Sequence, residues 1–107
     1  MINQEEWIWI GLPGHFVGGM DCKFHLCTVI GNVMVSTVGD YRPSGERLEI
    51  GWNRYYETAA FQITGWEDGY PTFNDDPELI MYPANTPLKA RANHMGACLD
   101  FAKAGVS

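Results

Sequence analysis

The residues of this 107-residue chain that could do chemistry are its three histidines, one serine between strand-forming residues, and a few charged side chains. An imidazole beside a hydroxyl or carboxylate can move protons, and an arginine can hold an anion such as phosphate. Aromatic side chains in loops can stack on a flat ligand or meet a partner chain. The sequence therefore predicts a ligand site drawn from His15, His25, Ser36, Arg42, Trp52, Arg54 and Glu57.

The spacing of these groups favours a binding protein over an enzyme. His25 and Cys27 are two residues apart on one predicted strand, so they would lie side by side without an orienting acid. Ser36 paired with His25 has the same weakness. A small nucleotide-acting enzyme with His15, His25 and Glu57 as acid–base groups is the weakest hypothesis, because no spacing demands it. We predict no catalytic residue.

Histidine and cysteine are also the ligands that zinc prefers. His94 and Cys98 share one face of a predicted helix, whereas Cys22 and His25 point to opposite faces of a strand. No Cys-x-x-Cys pair occurs, and buried thiols are the simpler interpretation, although a metal shared with His25 and Cys27 stays open. The glycine-rich stretch 11–19 matches neither the P-loop nor the dinucleotide fingerprint. We predict no metal and no cofactor.

A β-hairpin is the clearest element that must position these side chains. Segments 22–30 and 33–38 are both strand-like, and Gly31-Asn32 between them predicts a type II′ turn. Such a turn fixes the register and therefore which side chains share a face. The mostly apolar set, predicted to face the core, is Cys22, Phe24, Leu26, Thr28, Ile30, Val33, Val35 and Thr37. The reverse face carries His25, Cys27 and Ser36 and is polar enough to be wet or to hold a ligand.

The remaining elements complete a predicted α+β fold, a curved antiparallel sheet with one C-terminal helix packed on one face, in a single domain spanning 1–107. Strands are predicted over 7–11, 47–51 (a short edge strand) and 55–63, with loops over 12–21 and 65–87, the latter holding a short strand at 79–82. Thr86 is the predicted N-cap of the helix, Pro87 its first residue and Gly105 its stop. The predicted buried stripe is Leu88, Ala92, Met95, Leu99 and Ala102.

Composition excludes some partners. Thirteen acidic and seven basic residues give a net charge of −6, which repels phosphate backbones and disfavours direct nucleic-acid binding. No apolar run is long enough for a membrane span, and the acidic N-terminus does not resemble a signal peptide, so we expect a cytoplasmic protein. Three cysteines, an odd number, indicate reduced thiols. A small sheet with an open edge often pairs with a second copy, so a homo-oligomer is also considered.

Several segments resemble a group of small proteins encoded by phages and prophages. Residues 9–16 (WIGLPGHF) resemble the opening of that group, as do 22–26 (CKFHL) after a short spacer. The runs VSTVGDY at 35–41, EIG at 49–51, RYYET at 54–58 and ARANH at 90–94 resemble its later blocks. Ala59-Ala60-Phe61 departs from the group, which has Met and a β-branched residue before Phe, and this difference could widen a cavity.

The resemblance implies a counter-defence role, in which the protein sequesters a nucleotide-derived signalling molecule of bacterial immunity. The alternative is an anti-CRISPR-type inhibitor that binds a host defence protein complex through an acidic, aromatic surface. The contact charges of that alternative are Asp40, Glu46, Glu67, Asp68, Asp75, Asp76 and Glu78. Either role places the protein in the host cytoplasm.

Overall fold

A computed structural model describes residues 1–11, 15, 19–74 and 77–105. Within these residues the strands form one antiparallel sheet, and a C-terminal helix packs on it, which confirms the predicted α+β class. The elements are β1 (Ile8–Ile10), β2 (Cys22–Ile30), β3 (Val33–Tyr41), β4 (Tyr56–Glu67), β5 (Tyr70–Phe73), β6 (Ile80–Ala84) and α1 (Pro87–Ala104). The sheet order is β1-β2-β3-β4-β5, with β6 also paired to β4, and the sheet curls into a half-barrel.

The β2–β3 hairpin has the predicted turn and register. Gly31 has φ 61°, the positive φ that the first central position of a type II′ turn needs. Ile30 then opposes Val33, and Cys27 opposes Ser36, as predicted. The two sheet faces are therefore those expected: a helix-side face containing Thr28, Ile30, Val35 and Thr37, and a reverse face containing His25, Cys27, Ser36 and Val38.

Beyond Ile63 the chain differs from the predicted loop. β4 continues to Glu67 and turns through Asp68 (φ 52°) and Gly69 (φ 84°) into β5. Positive φ at both central residues is the geometry of a type I′ hairpin, which Asp-Gly favours. The short strand predicted at 79–82 is confirmed as β6, which pairs with the first half of β4.

The edge strand predicted at 47–51 is wrong. Two isolated bridges stand there instead, joining Tyr41 to Leu48 and Gly51 to Arg54. Gly51 and Arg54 close a tight turn in which Asn53 has φ 58°. Such a turn reverses the chain before a strand of ladder length can form. The strand predicted at 7–11 is confirmed as β1, Ile8–Ile10. Of the loop predicted over 12–21, residues 12–14 and 16–18 lie outside the described residues, and Gly19–Asp21 forms a short 3-10 helix.

Helix α1 has its predicted ends but the opposite face buried. Thr86 Oγ1 accepts a hydrogen bond from the Lys89 amide at 3.1 Å, Pro87 is the first helical residue, and Gly105 is the C-cap. The buried helical residues are Ala90, His94, Ala97, Cys98 and Ala102. The predicted buried stripe is therefore wrong except for Ala102 and the half-buried Met95, because small side chains let α1 sit close to the sheet while Leu88 and Leu99 point outward.

A buried hydrogen-bonded chain fastens α1 to the sheet. Nε2 of His94 lies 2.8 Å from Thr28 Oγ1, and its Nδ1 lies 2.8 Å from Thr37 Oγ1. Thr37 Oγ1 in turn lies 2.7 Å from Thr58 Oγ1. Because a neutral imidazole donates through one nitrogen and accepts through the other, both ring nitrogens are satisfied. These hydrogen bonds connect α1 with β2, β3 and β4.

Apolar packing covers both sheet faces. On the helix side Ile30, Val35 and Ala60 pack with Ala97 and Cys98. On the reverse face a second cluster joins Cys27, Met34, Ala59 and Phe61, with Phe73 and Met81 against it. Part of the reverse face is therefore core rather than wet surface. No helix in the described part of the chain is long and apolar enough to cross a membrane.

Candidate ligand site on the reverse face

Strand register brings several predicted site residues together on the reverse face. His25 pairs with Val38, which pairs with Glu57, so these three residues form one row across β2, β3 and β4. Ser36 lies in the adjacent row, between Cys27 and Ala59. Since neighbouring strands are about 5 Å apart, His25 and Glu57 are about 10 Å apart along their row.

His15 joins two of these rows. Its Nδ1 lies 2.9 Å from Ser36 Oγ, and its Nε2 lies 3.7 Å from Glu57 Oε2. Arg54 Nη2 lies 3.5 Å from the other carboxylate oxygen of Glu57. The imidazole also packs on Phe61, with ring centroids 5.4 Å apart. We call His15, Ser36, Arg54 and Glu57 the polar cluster.

The electrostatics of the polar cluster favour an ionised Glu57. The His15 side chain, directed at this carboxylate, is the main cause that lowers the pKa of Glu57, and the charges of His15 and Arg54 lower it further against the opposing effect of burial. The 3.7 Å contact is nevertheless long for a hydrogen bond. Within the described residues, His15 Nε2 and Arg54 Nε are buried without a hydrogen-bond acceptor. The polar cluster thus holds two buried nitrogen atoms without a hydrogen-bond partner among the described residues.

Serine, histidine and glutamate are the residue types of a hydrolytic triad, but their arrangement does not fit one. A triad serine must reach its substrate, and Ser36 is 0% exposed. The histidine is also shielded, with 7% of its side chain exposed. A hydroxyl that is covered on all sides cannot attack a bound substrate. The polar cluster is instead a buried group of side chains packed on the reverse face of the sheet.

A cavity of about 480 Å³, which we call the reverse-face cavity, lies near the start of β2. Its wall is formed by Gly11, Met20, Cys22, His25 and Tyr70. This volume falls in the range of about 300–1,000 Å³ typical of small-ligand sites. His25 shares a sheet row with Glu57 of the polar cluster, whose own four residues do not line the cavity. Half of the Tyr70 side chain is exposed, and burial raises the pKa of the Cys22 thiol.

Another cavity, of about 550 Å³, lies between the β2–β3 turn and the end of α1. Ile2, Ile30, Val33 and Phe101 line it together with backbone and amide groups. Its wall, as far as the described residues form it, contains no titratable side chain, so it offers shape but little chemistry. The reverse-face cavity is therefore the better candidate site.

The structure separates Arg42 and Trp52 from the polar cluster. Arg42 Nε donates to Asp40 at 2.8 Å, and its Nη1 donates to the Gly45 carbonyl, which closes a surface loop. Trp52 projects from the turn at 51–54 with 89% exposure. Neither residue lines the cavity. Their predicted ligand role thus lacks the geometric support that His15, His25, Ser36, Arg54 and Glu57 share.

Four wall residues were absent from the predicted ligand set: Gly11, Met20, Cys22 and Tyr70. A signal for Tyr70 was present, because the Asp68-Gly69 turn predicts a hairpin whose second strand begins there. Met20 had no comparable signal, since it lies in a short 3-10 helix, Gly19–Asp21, within the predicted loop. Among the described residues, no three His, Cys, Asp or Glu side chains are close enough to hold a metal ion.

No protein-family model, curated protein or solved structure matches this chain.

Proposed function

We propose that this protein binds a small nucleotide-type ligand in the reverse-face cavity and holds it without chemical change. The observation that carries the proposal is the wall of that cavity, where the His25 imidazole and the Tyr70 ring line about 480 Å³ of space. An aromatic ring is a stacking surface for a base, and an imidazole is a hydrogen-bond partner for phosphate. The combination suits a ligand with one flat and one anionic part.

The rest of the reverse face supports an anionic ligand of small size. In the polar cluster the Arg54 guanidinium balances the charge of Glu57, the carboxylate that shares a row with His25. The chain as a whole carries a net charge of −6, so a long phosphate polymer would be repelled over most of the surface. A compact ligand avoids most of that repulsion, because it meets only the local charges of the cavity.

Sequestration fits this geometry better than turnover. The one serine of the polar cluster is covered, and the two carboxylate oxygens of Glu57 lie against the side chains of His15 and Arg54. The resemblance to phage-encoded proteins supports a counter-defence setting, in which the ligand is a nucleotide-derived immune signal. The proposal places the protein in the host cytoplasm, where thiols such as the buried Cys27 and Cys98 stay reduced.

A thermal-shift screen against cyclic dinucleotides and cyclic ADP-ribose isomers tests the proposal. At least one of them should raise the melting temperature at millimolar concentration, since a ligand that binds the folded state stabilises it. Replacement of Tyr70 or His25 by alanine should remove the shift. Tyr82→Ala is the matched control, because Tyr82 is also a partly exposed strand tyrosine but lies on β6.

Two results would contradict the proposal. The first is no shift with any of these nucleotides. The second is a shift that both cavity variants retain. Recovery of the ligand from the complex decides between storage and catalysis, because a sequestering protein returns it chemically unchanged.

One observation favours the alternative, an inhibitor that binds a host defence protein complex. Glu67, Asp68 and Gly69 form the tip of the β4–β5 hairpin, and the half-exposed rings of Trp66 and Tyr70 flank it. Acidic groups beside exposed aromatics suit a basic protein surface that normally receives nucleic acid. Binding to a purified RNA-guided nuclease complex should then weaken steeply with salt and be lost in Glu67→Lys.

A further inference from the structure

The outward side of α1 carries an apolar stripe that the rest of the described chain does not cover. Leu88 is 72% exposed and Leu99 is 40% exposed, with Ala92 between them also exposed. Met95 continues the stripe at the border of the core. On the opposite side of the same helix, Ala90 and Ala97 are buried against the sheet. A helix that is apolar on two sides is suited to two packing partners.

The spacing of this stripe is self-complementary. Leu88, Ala92, Met95 and Leu99 are separated by four, three and four residues, which is a heptad pattern and reads the same in both directions. In an antiparallel pair of such helices, Leu88 of each copy lies opposite Leu99 of the other. Ala92 of each copy then lies opposite Met95 of the other. A two-fold axis between Ala92 and Met95 thus matches large with large at the ends and small with large in the middle.

We propose that α1 packs through this stripe against the same stripe of a second copy, forming an antiparallel, two-fold symmetric dimer. The charged residues on one flank fit this arrangement. Lys89 and Asp100 lie on the same flank of α1 but are about 16 Å apart along one helix, too far to pair within one copy. In the antiparallel pair, Lys89 of one copy comes within about 3 Å, along the helix axis, of Asp100 of the other. Two such ion pairs form, one at each end.

Gly96 on the same flank leaves room for this contact. A side chain added there would meet no atom within 4 Å, so the surface beside the stripe is open. In the antiparallel pair, Lys89 of the second copy lies midway between Gly96 and Asp100 along the helix axis, about 3 Å from each.

Sedimentation velocity at increasing protein concentration tests the dimer. The chain has a mass of 12.0 kDa, so the weight-average mass should rise toward twice that value. Leu99→Glu and Leu88→Lys should keep it at the monomer mass, with unchanged circular dichroism because both side chains are exposed in the monomer. Leu48→Glu is the matched control, since Leu48 is 44% exposed in a surface loop, and it should dimerise like the wild type.

A charge exchange tests the antiparallel geometry. Lys89→Glu alone and Asp100→Lys alone should each raise the dissociation constant of the dimer several-fold. The double variant Lys89→Glu/Asp100→Lys should restore the wild-type dissociation constant. A wild-type protein that remains a monomer at hundreds of micromolar overturns the proposal. A dimer that survives Leu99→Glu also overturns it and assigns the contact to another surface, such as the β1 edge. Single charge variants that weaken the dimer without recovery in the double variant refute the antiparallel pairing.

Discussion

Acid should loosen the attachment of α1 to the sheet through one residue, His94. Burial lowers the pKa of His94 from 6.5 to about 4, because the imidazolium would have to form at a site with 0% exposure. Its two nitrogens face the hydroxyls of Thr28 and Thr37, and the ring of Trp9 lies beside it. None of these groups can compensate a positive charge as a carboxylate would.

The sign and size of the effect follow from proton linkage. Between pH 6.5 and 4 the unfolded chain binds a proton at His94 that the folded chain excludes, so the free energy of unfolding falls as the pH falls. For pKa values of 6.5 unfolded and about 4 folded, this contribution is about 2 kcal/mol at pH 5 and approaches about 3 kcal/mol near pH 4. Such a loss is a substantial part of the about 5–15 kcal/mol that stabilises a typical domain.

Urea denaturation at a series of pH values between 5 and 7.5 measures this loss. His94→Gln should be less stable than the wild type at pH 7.5, since it breaks the hydrogen-bonded chain. It should also show a shallower pH dependence, because the other histidines titrate in both proteins and cancel in the difference. Parallel pH profiles for the two proteins would refute the assignment of the acid effect to His94.

Four further substitutions test single positions, each by urea denaturation. Thr86→Ala removes the side-chain acceptor at the start of α1 and should cost about 1 kcal/mol. Gly39→Ala would place a methyl 2.1 Å from the Tyr56 ring and should be strongly destabilising, whereas Gly96→Ala, in open space, should be neutral or stabilising by up to about 1 kcal/mol. The wild type should lose free energy of unfolding below pH 4.5, because the lowered pKa of folded Glu57 gives stability that disappears as the carboxylate protonates. Glu57→Gln should lose less over the same pH range.

Local chemistry made the β2–β3 hairpin and the ends of α1 predictable. Gly31-Asn32 defines both a turn and a register, and Thr86-Pro87 defines a helix start, with no information needed from distant residues. The Asp68-Gly69 turn carries an equally local signal, which the proline and glycine content of 65–87 obscured. Its recognition would have predicted β5 and the position of Tyr70.

The packing face of α1 was not predictable in the same way. Heptad spacing shows that Leu88, Ala92, Met95 and Leu99 share a face, but it does not show which partner that face meets. The sheet selects the opposite side because Thr28 and Thr37 provide hydroxyls that match the two nitrogens of His94. Such a match involves residues 57 and 66 positions apart, which periodicity does not reveal.

The polar cluster was predictable only in part. His15, Ser36, Arg54 and Glu57 are all recognisable as candidate residues by type and by their places on strands and turns. Their assembly depends on the pairing of β3 with β4 and on the return of His15 over the sheet, 21 residues from Ser36. The sequence therefore predicts members of the site but not their contacts with one another.

The order of strands has a consequence for how the chain folds during synthesis. From β1 to β5 each strand pairs with the one before it, so strands can pair in sequence order as they leave the ribosome. Only the last part of the chain, β6 and α1, must return to strands made earlier. Until α1 docks, the hydroxyls of Thr28 and Thr37 remain hydrated on an open surface. The docking of His94 against them is therefore the step that excludes water from the core.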